Sequence, residues 1–305
     1  MRSIDFALDF MKKVDMPEEA ISFYEDVFGL VLAEKELMFT LFALERRYMC
    51  VTRRFVSLKA PLMSLARKLK LPQETVDFMF LLFCLRTLHE RYIQKGYSEE
   101  LFYDTMSDLK YKLIECRDVK GIWGTFVASW NDGFYRMERF ALGRFQYEVT
   151  RWAWTKYEKH GIKIKNRRKV VNFHIPSSKE PITYDVRVDS YKKAKEFYKD
   201  MFGDKPALFV CTSWLLYEPH REFLPEKSNI LDFMDDFDII KSIPVPGFHD
   251  GWRVFADKAK LPPEQLPEDT SLQRAFKQRL VEKKSLGYGY GLVIFDGEKI
   301  LTRNK

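Results

Sequence analysis

The hydrophobic period of this chain changes once, near Arg136, and that change restricts what it can fold into. Before it, apolar residues recur at helical spacing, as in Ala20, Ile21, Phe23, Tyr24, Val27 and Phe28. After it they alternate, as in Phe145, Tyr147 and Val149, or fill short runs such as Ala207–Ser213. A helical part followed by mixed strands and helices is an α+β arrangement. At 305 residues the chain is long for a single core, so two domains are expected, helical over 1–135 and mixed over 136–305.

In the first part, Asp15-Met16-Pro17-Glu18-Glu19 reads as a helix start with Asp15 as cap, and Gly29 as the stop. Leu37–Leu44 and Tyr48–Val56 fit helix or strand equally. Ser64–Val76 has the outline of a DNA-binding helix-turn-helix. Its second helix, however, continues through Val76, Phe78, Met79, Phe80, Leu81, Leu82, Phe83 and Leu85. A helix apolar nearly all round is buried and has no polar face for base edges. Ser98 caps the next helix. Asp104 and Asp108, four apart, would share one helix face, either as a paired acid site or as a solvated face balanced by Lys112.

In the second part, strands are expected at Leu142–Val149, Lys169–Pro176, Ile182–Val188, Ala207–Ser213, Ile239–Ile243 and Gly251–Phe255. Asp189 and Ser190 read as the cap of a helix closed by Gly203, which makes Asp189–Ser213 a helical crossover carrying a parallel strand pair. Ser228 caps a further helix, and Thr270–Lys284 is another. Gly287–Leu301 reads as a closing hairpin in which the GYGYG run leads into an edge strand.

Charge is uneven. Met1–Tyr135 holds 19 basic and 20 acidic residues, net −1, whereas Arg136–Lys305 holds 32 and 24, net +8. Lys156–Lys169 alone carries seven basic residues and one Glu. It is either a patch for a phosphorylated ligand or acidic partner, or a hairpin kept soluble by its cations. Cys50, Cys84, Cys116 and Cys211 fall in no metal-ligand spacing, so reduced thiols and no metal are expected. The opening MRSIDFALDFMKK lacks a signal-peptide core, and Phe78–Leu85 is too short to span a bilayer. A cytoplasmic protein with a small-molecule substrate, binding neither nucleic acid nor membrane, is the expectation.

His174, at a strand end, is the acid–base candidate, because imidazole titrates near neutrality. It could equally cap a carbonyl. Cys211 and Ser213 share a strand face. Cys211 is either a nucleophile paired with His174 or a core thiol, and Ser213-Trp214 either floors a cleft or closes the core. Tyr217 and Glu218 could be acid and base, or simply solvated. Arg144, Gln146 and Glu148 form the most polar strand face, fit either to hold substrate or to form a buried network.

Leu142-Gly143-Arg144-Phe145-Gln146-Tyr147-Glu148, His174-Ile175-Pro176, Cys211-x-Ser213-Trp214-Leu215-Leu216 and Ser228-Asn229-Ile230-x-x-Phe233 occur in this order. Together with Tyr97–Leu109 they resemble a bacterial family of acyltransferases that pair a helical N-terminal domain with a GNAT-like C-terminal domain. The resemblance covers roughly 65–301. It implies transfer of an acyl group from an acyl-CoA or acetyl-CoA thioester to an amine, with the donor held between two splayed parallel strands and its pyrophosphate at a helix start. By element order these would be Ile182–Val188, the helix from Ser190, and Ala207–Ser213. The superfamily's Gln/Arg-x-x-Gly-x-Gly loop is replaced here by Arg187-Val188-Asp189-Ser190-Tyr191. Arg187, Lys192 and Lys193 would supply charge in place of exposed amides. On this reading His174, Tyr217 and Glu218 are catalytic. Cys211 and Ser213 join Arg187, Lys192 and Lys193 at the donor, and Trp214 joins Arg144, Gln146 and Glu148 at the acceptor. The other readings are a non-catalytic ligand-binding or scaffold protein on the same fold, and a Cys–His hydrolase or transferase.

Overall fold

A computed structural model describes residues 3–52 and 54–303. Met1 and Arg2 of the opening segment, and Arg53 within the ambiguous Tyr48–Val56 stretch, lie outside the described residues. The chain divides into two compact units between Phe140 and Ala141.

The first unit is helical: α1 (Ser3–Lys13), α2 (Glu18–Leu32), α3 (Lys35–Arg46), α4 (Lys59–Leu69), α5 (Gln73–Gln94), α6 (Glu99–Met106) and α7 (Asp108–Lys120), with a single turn, α8 (Asp132–Tyr135), near its end. Helix α5 is the axis, packed on by α1, α2, α3, α4 and α6. Phe78–Leu85 is without solvent exposure on any residue, which removes the face a DNA-reading helix would need. Leu37–Leu44 is helix within α3, and the following turn, Arg47–Thr52, is a wide helical one. The start of α2 differs from expectation. Pro17 occupies the cap position, Asp15 has positive φ, and Gly29 is passed over, since the helix runs on to Leu32. Ser98 caps α6 as expected, accepting from the Leu101 amide. Asp104 and Asp108 do not share a helix face, because α6 ends at Met106 and α7 begins at Asp108. Asp104 is exposed, whereas the buried Asp108 accepts from Trp130 Nε1 at 3.1 Å. Lys112 pairs with Glu115 at 2.9 Å.

The second unit is built on a six-stranded sheet with order β1-β2-β5-β6-β8-β7. Its strands are β1 (Arg139–Leu142), β2 (Phe145–Arg151), β5 (Lys169–His174), β6 (Ala207–Ser213), β7 (Asp238–Val245) and β8 (Leu286–Phe295), while β3 (Lys156–Lys159) and β4 (Ile162–Lys165) form a separate hairpin. Helices α9 (Tyr184–Phe197) and α10 (Lys199–Phe202) connect β5 to the parallel β6. Helices α11 (Asn229–Met234), α12 (Trp252–Phe255) and α13 (Ser271–Val281) follow, α11 capped by Ser228 and α13 by Thr270 in a capping box.

On the sheet face covered by α9, Phe145 stacks on Phe173 at 4.7 Å and Tyr191 of α9 stacks on Phe209 at 5.6 Å. Burying each such side chain contributes about 1.5–3 kcal/mol, more than the ~1 kcal/mol net of a typical hydrogen bond, so this aromatic layer fixes which face is the core. One polar group sits within it. Ser190 Oγ donates to the Leu142 carbonyl at 2.6 Å and accepts from the Phe145 amide at 3.2 Å. With its only proton spent, it accepts from the Tyr147 hydroxyl at 2.9 Å. Ser190 therefore ties α9 to the β1–β2 turn, where Gly143 has φ +71° and a side chain would press on Ser190.

Three strand expectations are corrected. Ile182–Val188 is not a strand, because α9 begins at Tyr184, so Asp189 and Ser190 lie inside that helix rather than at its cap. Gly251–Phe255 forms the short α12, not a strand. The GYGYG strand is not an edge, since β8 lies between β6 and β7. Its glycines answer to close packing: a Cβ at Gly287 or Gly289 would collide with the carbonyl oxygens of Ile243 or Leu216, and at Gly291 with the Phe237 ring.

The basic hairpin is anchored. Tyr157 donates to Asp238 Oδ2 at 2.5 Å, His160 Nε2 lies 3.0 Å from the same oxygen, and Trp152 and Trp154 pack on Tyr290. Lys156, Lys163, Lys165, Arg167, Arg168 and Lys169 remain exposed. No described helix is long and apolar enough to cross a membrane.

Candidate active site

The parallel ladder between β5 and β6 holds two residue pairs, Val171↔Phe209 and Asn172↔Val210. Beyond them the strands keep different company. His174 pairs with Gln146 on β2, while Cys211, Thr212 and Ser213 pair with Gly291, Tyr290 and Gly289 on β8. Among the described residues the β5–β6 ladder therefore does not continue to the carboxyl ends of the two strands. The carboxyl ends of parallel strands are also where α/β sheets bind ligands. The parallel pair is β5 and β6, not Ile182–Val188 and β6 as the sequence suggested.

Strand parity sorts the neighbouring side chains. Asn172 and Val210 are register partners, so His174 shares their face while Cys211 points to the other, toward the α9 core. Cys211 is 1% exposed, and burial alone pushes its thiol well above the usual range. It is a core thiol on the face opposite His174, which removes both the Cys–His pair and a role for its sulfur at the donor. Ser213, on the Cys211 face, accepts from the Leu215 amide at 3.2 Å and caps the turn that follows.

The polar face carries Gln146, Glu148, Asn172 and His174. Glu148 lies opposite Asn172 and Gln146 opposite His174 in the β2–β5 register. Glu148 Oε1 is 2.8 Å and Asn172 Nδ2 2.9 Å from His174 Nε2. Gln146 is buried. Asn172 was not singled out from sequence, although its two-residue spacing from His174 was the available signal. Arg144 acts on the loop leading to α9, donating to the Pro176 carbonyl at 3.1 Å and the Glu180 carbonyl at 2.9 Å. It braces that loop rather than reaching out for substrate.

The three cationic donor candidates do not line a phosphate loop. Arg187 has no exposure. It grips Asp236 with two bonds of 2.6 and 3.0 Å, Asp232 at 3.0 Å and the Ile182 carbonyl at 2.6 Å, and Arg303 engages both aspartates from the other side. Burial opposes ionisation of Asp232, but bonds from Arg303 and Arg187 outweigh it and hold that carboxyl below its usual value. Lys192 and Lys193 lie in the third turn of α9, exposed, with Lys193 paired to Asp189 at 2.9 Å. Asp189 is likewise well inside α9. The helix start itself, at Thr183, makes no side-chain cap bond, so its first amides are available in the way helix N-termini offer them.

Tyr217 and Glu218 are not brought to His174. The buried Tyr217 hydroxyl meets Ser285 Oγ at 2.9 Å, and the Glu218 amide donates to Ser242 Oγ at 3.1 Å. Trp214 belongs to an aromatic cluster with His220, Phe248 and Phe276, at centroid distances of 6.2, 6.1 and 5.5 Å. His220 is enclosed by that cluster. Burial, reinforced by Arg279, pulls its pKa down to about 4. A His depressed from ~6.5 in the unfolded chain stabilises the fold fully above that pH and loses this contribution as pH falls toward 4. Urea unfolding between pH 7 and pH 4 should therefore show about 3 kcal/mol lost through this group, and His220→Leu should remove most of that slope.

Residues 140–293 match the GNAT-like C-terminal domain, and residues 5–137 match the N-acyltransferase N-terminal domain. Among solved structures, an acyltransferase in complex with decanoyl-CoA and teicoplanin superposes with a TM-score of 0.71 at 21% identity, over 95% of this chain and 87% of that one. An acyltransferase mutant in complex with octanoyl-CoA gives 0.70 at 20% identity over the same shares. An acyltransferase in complex with decanoyl-CoA gives 0.61 at 24%, over 73% of this chain and 66% of that one. These likenesses establish the fold. No curated protein matches the chain. With the C-terminal match alone spanning just over half of its residues, the chain belongs to the family of GNAT-like C-terminal domain proteins, here preceded by an N-acyltransferase N-terminal domain.

Proposed function

We propose that this chain transfers an acyl group from an acyl-CoA thioester to an amine. The observation that carries the reading is the parallel β5–β6 pair, whose ladder does not continue past Asn172 and Val210, with His174 at the carboxyl end of β5. Relatives of the same fold have been crystallised with octanoyl-CoA and decanoyl-CoA, which favours medium-length acyl donors over acetyl-CoA. One of them also holds teicoplanin, which favours a small-molecule acceptor.

In this reading the pantetheine arm lies between the carboxyl ends of β5 and β6, and the pyrophosphate sits at the start of α9. Arg144 and Arg187 act indirectly, fixing the loop that leads there through the carbonyls of Pro176, Glu180 and Ile182. His174 takes a proton from the ammonium or amine of the acceptor. The amine nitrogen attacks the thioester carbonyl, and amides at those strand ends receive the charge on its oxygen. Collapse breaks the C–S bond, and the coenzyme A thiolate leaves and is protonated. Direct attack needs no enzyme nucleophile, in keeping with the buried position of Cys211.

Decanoyl-CoA at about 100 times its Kd should stabilise the protein by about 2.7 kcal/mol, a rise in Tm of several degrees. Acetyl-CoA should give a smaller rise at equal concentration. A flat response to every acyl-CoA up to millimolar concentration would overturn the reading in favour of a non-catalytic scaffold.

A further inference from the structure

We propose that the first unit carries a docking surface for anionic lipid membranes, built from α3, the turns Arg47–Thr52 and Phe55–Leu58, and α4. Such a contact needs no spanning helix, whose absence prompted the expectation of no membrane partner, and it holds whether or not the chain transfers acyl groups.

The positive charge of this part of the chain gathers in one stretch. Residues 46–70 hold eight Lys and Arg and no Asp or Glu. Met1–Tyr135 holds 19 basic and 20 acidic residues in all, so its remainder carries 11 against 20. Arg46, Arg47, Arg54, Lys59, Arg67 and Lys68 are all exposed. Large apolar side chains stand out among them. Phe39 and Val51 are 73% exposed and Val56 60%, and Phe42 and Met63 are exposed as well. Helical spacing puts the two kinds on shared stripes. Phe39, Phe42 and Arg46 follow one another on α3, and Lys59, Met63 and Arg67 do so on α4. The turns between the helices are pinned from beneath. The Tyr48 hydroxyl and the Phe55 amide both donate to Asp132 Oδ1 at 2.9 Å, and Arg91 donates to the Met49 carbonyl at 2.8 Å. The fold itself therefore holds Val51 and Val56 outward.

Cations interleaved with exposed apolar side chains match an anionic bilayer. The charged heads stay at the lipid phosphates while the apolar groups reach about 5–10 Å into the acyl boundary. A nucleic acid would engage the cations but leave Val51, Val56 and Met63 in water. A protein interface would deplete charge at its apolar centre, Lys above all.

Co-sedimentation of the full chain with vesicles tests this. Phosphatidylcholine vesicles with about a third phosphatidylserine should bind the protein at about 0.1 M salt and release it as salt rises, whereas pure phosphatidylcholine should bind little. Arg46→Gln, Arg47→Gln, Arg54→Gln and Lys59→Gln together should weaken binding on the order of fivefold per cation. Phe39→Ser, Val51→Ser and Val56→Ser together should weaken it about tenfold or more. All these side chains are exposed, so both variants should keep the fold. Cys50, the exposed one of the four cysteines, lies in the same stretch. A polarity-sensitive dye on it should shift to the blue when vesicles bind. Lys165→Gln with Arg168→Gln, on the β3–β4 hairpin, should leave affinity within about two-fold of wild type.

No binding to the phosphatidylserine vesicles would overturn the proposal. So would loss of binding in the hairpin variant with full binding in the Gln variant of the first unit, which would move the contact to the other basic surface. Full binding by the Ser variant, or a dye that stays unshifted, would also overturn it, in favour of a polyanion such as nucleic acid held by charge alone. No readout here requires acyl-CoA, so a failure of the proposed function would leave this result standing.

Discussion

His174→Ala is expected to lower kcat by about 10²–10⁴-fold, the range of a lost general base, while the Kd for decanoyl-CoA stays within a few-fold. The split follows from where the groups lie. His174 ends β5 on the face away from the aromatic core, and its backbone pairs with Gln146 whatever side chain it carries. The proposed donor contacts are backbone edges of β5 and β6 and the start of α9, none of which depends on the imidazole. Single-turnover acyl transfer, with calorimetry on the same variant, measures both. Unchanged turnover would remove His174 from the mechanism, and loss of binding with loss of turnover would make it a donor contact instead.

Arg187→Met should destabilise the second unit by about 3–5 kcal/mol, the usual cost of removing one partner from a buried ion pair. Asp236 is wholly buried and is gripped by Arg187 through two bonds, with Arg303 as its other cation. Burial already raises the Asp236 carboxyl from its usual value against the pull of both guanidiniums. Removing one leaves a carboxylate poorly compensated and frees the Ile182 carbonyl at the entry to α9. Arg187→Lys should recover little, since an ammonium cannot reproduce the forked contact to Asp236, Asp232 and Ile182. Urea unfolding of the three proteins at pH 7 tests this, and a loss under 1 kcal/mol for Arg187→Met would contradict it. The KM for acyl-CoA should rise in any variant that remains folded, because the α9 entry would be less constrained.

These two residues also show what the sequence could and could not reveal. His174 was legible because β5 alternates plainly, with Val171 and Phe173 on one face and Asn172 and His174 on the other. Ser98 and Ser228 were legible as caps because their signal is local. Arg187 was misread because α9 hides its period. The helix face turned inward is Arg187, Ser190, Tyr191 and Ala194, a cation and a hydroxyl mixed with one aromatic and one small residue rather than an apolar stripe. Meanwhile Ile182, Tyr184, Val186 and Val188 alternate with polar residues as a strand would. Only the tertiary partners Asp232, Asp236 and Arg303, distant in sequence, make a buried arginine tolerable there.

The glycines of β8 failed for a related reason. An alternating GYGYG run resembles an exposed turn or edge, yet Gly289 and Gly287 sit where the carbonyls of Leu216 and Ile243 leave no room for a Cβ. Cys211 and His174 looked like neighbours because both lie at strand ends. Register then puts them on opposite faces, a one-residue distinction that only the observed pairing of Asn172 with Val210 fixes.

We propose the carboxyl ends of β5 and β6 as the acyl-CoA site. A crystal structure of the protein grown with decanoyl-CoA tests it most directly. The pantetheine arm is expected between Phe173–Ile175 and Cys211–Ser213, the pyrophosphate at the start of α9 and the thioester beside His174. Coenzyme A bound elsewhere on the molecule, with that site empty, would contradict it.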